Sequence, residues 1–184
     1  MKRLLIILFV ANVFISFGQS RIVKIGNQSW SLKNLNVDEF RNGDRIFEAK
    51  SDEDWIWANR NEKPAWCHYD NLSNNDSRYG KLYNWYAITD SRGLAPDGWH
   101  IPAVSEWEEF YENGGTLKEI GFNRIRGGLR EELGQFRFAG HYGYWWTSSI
   151  DCYRLQGGSS FDVGNVHCGK ETIGLGMYVR CLKD

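Results

Sequence analysis

Apolar and polar positions alternate over Arg21–Ile25 and again over Gln28–Leu32, with Gly26-Asn27 between them. This period of two around a turn dipeptide predicts an N-terminal β-hairpin. Further on, Ser51 and Asp54 offer an N-cap for a short helix carrying Trp55, Ile56 and Ala58, closed by Pro64. Ala65–Tyr69 reads as a short strand, and the polar run Asp70–Ser77 as a surface loop. From Arg78 to Asp90 the apolar positions Leu82, Trp85, Tyr86 and Ile88 recur near helical spacing, which predicts the first principal helix. Trp99–Ile101 reads as extended and is stopped by Pro102. Ser105 and Glu108 then form a capping box for a second helix, with Trp107, Phe110 and Tyr111 as its buried stripe and Gly114-Gly115 as its end.

Beyond Leu117 the pattern changes to short alternating segments divided by glycine: Phe122–Ile125, Gly128–Arg130, Gln135–Phe138, Tyr144–Ser148, Tyr153–Gln156, Phe161–His167 and Met177–Leu182. These predict a sheet of short antiparallel strands. No repeat and no linker divides the chain, so residues 19–184 read as one domain. Nine Trp, nine Tyr and ten Phe with 20 Gly and three Pro suit an α+β or β-rich fold with long loops rather than a helix bundle.

Residues 1–18 have a different character. Met1-Lys2-Arg3 precedes an apolar run from Leu4 to Ile15, and Ser16-Phe17-Gly18 offers small residues for cleavage after Gly18. This is the arrangement of a cleaved signal peptide, and the run is shorter than the about 20 apolar residues that span a bilayer. A secreted or periplasmic location is expected, with no membrane span after cleavage. The 22 Lys and Arg against 23 Asp and Glu leave no basic tract, so nucleic acid is not an expected partner. Four cysteines, Cys67, Cys152, Cys168 and Cys181, read in an oxidising compartment as two disulfides, for which sequence alone leaves three pairings. The absence of a C-x-x-C knuckle argues against zinc.

The order of landmarks is informative. Tyr79-Gly80-Lys81-Leu82-Tyr83-Asn84-Trp85-Tyr86-Ala87 is followed by Gly93-Leu94-Ala95-Pro96-Asp97-Gly98-Trp99-His100-Ile101-Pro102, then Glu106-Trp107, and finally Val179-Arg180-Cys181-Leu182-Lys183-Asp184. Asn34-Leu35-Asn36, Trp66-Cys67-His68-Tyr69-Asp70-Asn71, Gly121-Phe122 and Tyr144-Trp145-Trp146-Thr147-Ser148-Ser149 accompany them. In these features the chain resembles the Fibrobacter succinogenes major paralogous domain family of exported bacterial domains. The resemblance implies a C-type-lectin-like α+β fold, with two main helices packed on a twisted antiparallel sheet bearing long loops. By the same analogy it implies the pairings Cys67–Cys181 and Cys152–Cys168. It implies no activity.

Three kinds of chemistry can be weighed. Calcium-dependent sugar binding needs six to eight oxygen ligands, whereas only Asp162 and Asn165 lie in the corresponding loop, so neither calcium nor any other cofactor is expected. Enzymatic activity, as in the formylglycine-generating sulfatase modifiers of related fold, is the alternative reading. It lacks their cysteine arrangement, and His100 and Glu108-Glu109 are more simply a packing histidine and a solvated helix start. The favoured reading is a monomeric, non-enzymatic recognition domain for a surface glycan or protein, with His141, Tyr142, Tyr144, Trp145 and Trp146 as candidate binding residues. On a strand, Tyr144 and Trp146 face one way and Trp145 the other, so at least one ring is expected near the surface. Trp85, Trp99 and Trp107 are assigned to the core.

Overall fold

The computed structural model describes residues 22–114, 126–149 and 173–184 in full, and 152–157 and 166–168 by their backbone. The leader expected over residues 1–18 and the strand expected at Phe122–Ile125 both lie outside the described residues. The chain opens as its alternation predicts: β1 (Ile22–Ile25) and β2 (Gln28–Ser31) pair antiparallel, with Val23 opposite Trp30. Alternation drives Trp30 fully inside, 4.4 Å from the ring centre of Trp107.

β3 (Phe47–Glu48) leads into α1 (Asp52–Arg60). The capping box forms: Ser51 Oγ accepts the Asp54 N–H at 3.1 Å, and Asp54 Oδ2 accepts the Ser51 N–H at 3.2 Å. Three first-turn acids, Asp52, Glu53 and Asp54, complement the helix dipole. β4 (Ala65–Cys67) then pairs parallel with β3, and α2 (Asp76–Tyr79) follows two 3₁₀ turns.

The long helix expected over Arg78–Asp90 does not form. Gly80, at φ 76°, ends α2 where a β-carbon would come within 2.8 Å of the Asn34 side chain. The following β5 (Leu82–Tyr83) pairs with β4, and Tyr83 exchanges backbone hydrogen bonds with Met177. Helical periodicity survives only in α3 (Trp85–Ile88), whose N-cap Asn84 accepts the Ala87 N–H. Trp85 and Trp99 of β6 (Trp99–His100) are half-buried against the core, while Trp107 is wholly inside.

α4 (Val104–Glu112) starts before the predicted Ser105. Glu106 reaches back to the Ala103 N–H at 2.7 Å, and Ser149 Oγ accepts the Val104 N–H at 3.0 Å from 45 residues away. The two nine-residue helices are therefore α1 and α4, not the predicted pair.

The C-terminal half supplies β7 (Gly127–Arg130), β8 (Phe136–Ala139), β9 (Tyr142–Trp146), β10 (Cys152–Gly157), β11 (Val166–Cys168) and β12 (Leu182–Lys183). Five of them form a sheet in the order β11-β10-β9-β7-β8, antiparallel except for the parallel contact of β7 with β9. β12 joins the N-terminal hairpin and β6 in a four-stranded sheet, and β3, β4 and β5 form a third. The protein is thus mixed α+β, with mostly antiparallel sheets and short helices.

β9 is the middle strand of the five, with apolar material on both of its faces. Trp145 enters the cluster of Trp30, Trp55, Trp107 and Phe110, and Tyr144 and Trp146 enter that of Trp66, Tyr83, Met177 and Val179. The expectation that one of these three rings lies near the surface is therefore overturned. Indole hydrogen bonds complete the burial: Trp145 Nε1 donates to Asn34 Oδ1 at 2.9 Å and Trp146 Nε1 to the Tyr83 carbonyl at 2.7 Å.

The Cys67–Cys181 bond implied by the resemblance is not made. Both thiols are free and buried, and they belong to different core clusters. Burial pushes the Cys67 thiol up to about 11, against the influence of Arg130, and the Cys181 thiol up to about 12. The strand register sets Cys152 directly opposite Cys168, while their side chains lie outside the described residues.

Candidate functional site

A kink between β7 and β8 builds an exposed aromatic surface. Register places Gly128 opposite Phe138, and both take a left-handed backbone, with φ 70° and 68°. Gly128 is required there because a β-carbon would run into the Arg137 carbonyl oxygen. Phe138 is not a glycine, and a bulky side chain at positive φ carries a strain of about 1–3 kcal/mol. Neighbouring bonds hold it in place. The Phe138 carbonyl accepts the His141 N–H at 3.0 Å, and Gly140 donates to the Arg126 carbonyl.

Left-handed geometry turns Phe138 away from the core that Phe136 joins two residues earlier. Phe136 packs 5.1 Å from Tyr69, whereas Phe138 is 44% exposed. Its ring reaches over the bare Gly127-Gly128 of β7 to β9, meeting Tyr142 edge-on at 5.7 Å and Tyr144 at 6.0 Å. Tyr142 is 37% exposed, Tyr144 is nearly buried beneath the other two rings, and His141 is exposed beside them. Of the five predicted residues, His141 and Tyr142 reach this surface, Tyr144 supports it from below, and Trp145 and Trp146 lie in the core. Sequence pattern does not single out Phe138, since its i, i+2 relation to Phe136 places both on one face of a regular strand. The glycine pair opposite is the one sequence signal for the kink.

His100 sits elsewhere and serves as a clamp. Nδ1 lies 2.7 Å from Asp184 Oδ1 and Nε2 lies 2.8 Å from Glu106 Oε1, so the ring ties β12 to the start of α4. Burial alone lowers its pKa, but the two carboxylate hydrogen bonds outweigh burial and raise it above 6.5. A pKa raised on folding stabilises the native state below the unfolded value and ceases to do so as pH rises through the folded value. Thermal scans from about pH 5 to pH 9 should therefore show a stability component lost on the alkaline side of 6.5 that His100→Gln lacks. Equal pH profiles would refute the clamp, and its half-exposed position keeps the effect small. Glu108 and Glu109 are exposed but lie in the middle of α4 rather than at its start, where Glu106 is the first-turn acid.

Among the described residues, no three of His, Cys, Asp and Glu converge to hold a metal ion. Asp162 and Asn165, the two potential calcium ligands, lie outside the described residues. No described helix is long and apolar enough to cross a membrane.

Comparison of the sequence with known families adds one match. The Fibrobacter succinogenes major domain matches over residues 23–116, a span running from β1 to just past α4 and stopping short of β7. No curated protein and no solved structure matches the chain.

Proposed function

The chain belongs to the Fibrobacter succinogenes major domain family, and we propose that it is an exported recognition domain, C-type-lectin-like in plan, that holds polymeric carbohydrate against Phe138 and Tyr142, with Tyr144 packed beneath them. The carrying observation is Phe138: a large ring kept at the surface on a backbone that costs free energy to maintain. Size favours a sugar over a protein partner. Two exposed rings with His141 match the face of a sugar unit, whereas a stable protein interface takes about 800 Å² from each side. Catalysis through Cys67 or Cys181 is disfavoured, since thiols pushed to about 11 and 12 have little nucleophilic thiolate at neutral pH.

The test compares retention on insoluble cellulose, xylan, chitin and peptidoglycan. Wild-type protein is expected to bind at least one of them, and Tyr142→Ala and Phe138→Gly each to weaken that binding about tenfold or more. Phe138→Gly should leave stability within about 1 kcal/mol, because relief of left-handed strain offsets the loss of a half-buried ring. Retention by none of the four polymers, or retention unchanged in the double variant, would sink the proposal.

Export has its own consequence for the cysteines. Cys152 and Cys168 are expected to be joined and Cys67 and Cys181 to remain thiols, so alkylation of denatured, unreduced protein should label Cys67 and Cys181 alone. Labelling of all four would remove the inner bond. Labelling of none would restore the Cys67–Cys181 pairing.

A further inference from the structure

A cavity of about 290 Å³ opens between β3, the end of β4 and the turns that follow it, lined by Glu48, Ala49, Lys50, His68, Asn71 and Ser73. All of these residues fall inside the family-matched span, whereas the aromatic surface falls outside it. His68 forms its inner wall, only 16% exposed and fixed from three sides. Nδ1 is 2.7 Å from Asp76 Oδ1, Nε2 is 3.5 Å from Glu48 Oε1, and the ring stands edge-on to Trp66 at 5.0 Å. Glu48 turns its other oxygen to Lys50 Nζ at 3.4 Å. On the rim, Asp70 and Asn71 are consecutive left-handed residues, both at φ 55°, braced by Asn71 N–H to the His68 carbonyl and by Asn75 Nδ2 to the Tyr69 carbonyl at 2.8 Å. Among the described residues, neither the Asn71 amide nor the Ser73 hydroxyl has a hydrogen-bond partner, so their donors and acceptors are open to an occupant.

Charge and size narrow the occupant. An anion would face Glu48 with Asp76 behind it, and a cation would face Lys50, so a net charge of either sign meets a like charge. A neutral ligand with paired donors and acceptors meets none of these penalties. Adjacent hydroxyls suit the set, since one can donate to the Glu48 carboxylate while its neighbour accepts from Lys50 or Asn71. The volume lies at the lower limit of the roughly 300–1,000 Å³ typical of ligand pockets and fits one ring rather than a chain. We infer that this cavity is a second binding site, separate from the aromatic surface, for a single neutral polyhydroxylated ring such as a free monosaccharide or cyclitol.

The experiment is an amide-resolved NMR titration of the protein with glucose, galactose, mannose, N-acetylglucosamine and myo-inositol, with sodium phosphate and choline chloride as charged controls. At least one neutral ring should give saturable shifts at Glu48, Lys50, His68, Asn71 and Ser73 with a dissociation constant of about 1–10 mM. Asn71→Gly keeps the left-handed backbone and deletes the amide, and should weaken that binding about tenfold. Tyr142→Ala should leave these shifts unchanged, so failure of the aromatic surface and failure of the cavity give different results. The inference is overturned if no neutral ring gives saturable shifts there up to about 100 mM. It is overturned equally if phosphate or choline moves the same amides more strongly, or if Asn71→Gly binds like wild type.

Discussion

Trp145→Ala is expected to lower the unfolding free energy by about 3–5 kcal/mol, a large part of the 5–15 kcal/mol that holds a domain of this size together. The indole is wholly buried within the cluster of Trp30, Trp107 and Phe110, on the strand at the centre of the five-stranded sheet. Truncation leaves a cavity that the sheet cannot close, and it also removes the donor to Asn34 Oδ1. Asn34 donates in turn to the Tyr79 carbonyl at 2.7 Å, so the loss reaches the loop after β2 and the end of α2. Guanidinium unfolding should show a lowered midpoint for Trp145→Ala and a nearly unchanged one for Tyr142→Ala. If Trp145→Ala unfolds with the wild type, the ring is not the core element its burial indicates. Loss of ligand binding in Trp145→Ala would therefore report unfolding, whereas the same loss in Tyr142→Ala would report on the surface.

An effect of similar size, about 3–5 kcal/mol, is expected for Arg130→Met. The Arg130 side chain is fully buried, yet each of its three guanidinium nitrogens donates. Nε bonds the Gly134 carbonyl at 2.9 Å, one terminal nitrogen bonds the Ala49 carbonyl at 3.1 Å, and the other bonds both the Ser51 carbonyl at 2.8 Å and Asp52 Oδ1 at 3.0 Å. The guanidinium lies 5.0 Å from the ring centre of Trp55 and 4.7 Å from that of Phe136. Methionine preserves much of the stem and strands the Gly134 and Ala49 carbonyls, while the Ser51 carbonyl keeps the Trp55 N–H. Asp52 is half-exposed, so its unpaired charge adds little, and the cost comes from the carbonyls and the opened packing. Arg130→Lys should fare little better, because one ammonium cannot span the four acceptors set around the guanidinium. Denaturation midpoints together with hydrogen exchange at the first turn of α1 test this. Wild-type protection there in Arg130→Met would refute the role.

Local chemistry proved a good guide where a feature is closed within a few residues. The hairpin of β1 and β2 and the Ser51–Asp54 capping box form as predicted, because turn, alternation and cap are all contained in the segments concerned. Errors arose where distant chain competes. Residues 78–90 carry a helical stripe, but β4 and Met177 offer Leu82 and Tyr83 strand partners, and Gly80 has to let Asn34 approach. Ser105 is a plausible cap by spacing, yet the cap of α4 is completed by Ser149, whose position no local pattern reveals.

The candidate site divides along the same line. From sequence alone come the α+β class, the crowding of rings at residues 141–146 and the landmarks that place the chain in its family. Alternation assigns the two faces of β9 but is silent on what covers them, and here both are covered, which buries Trp145 and Trp146. Tertiary structure alone brings Phe138 across two glycines to Tyr142, sets His68 between Asp76 and Glu48, and leaves Cys67 and Cys181 apart. The physical reason is range. Turns, caps and alternation act over a few residues, whereas exposure and charge pairing depend on segments that meet only when the sheets assemble.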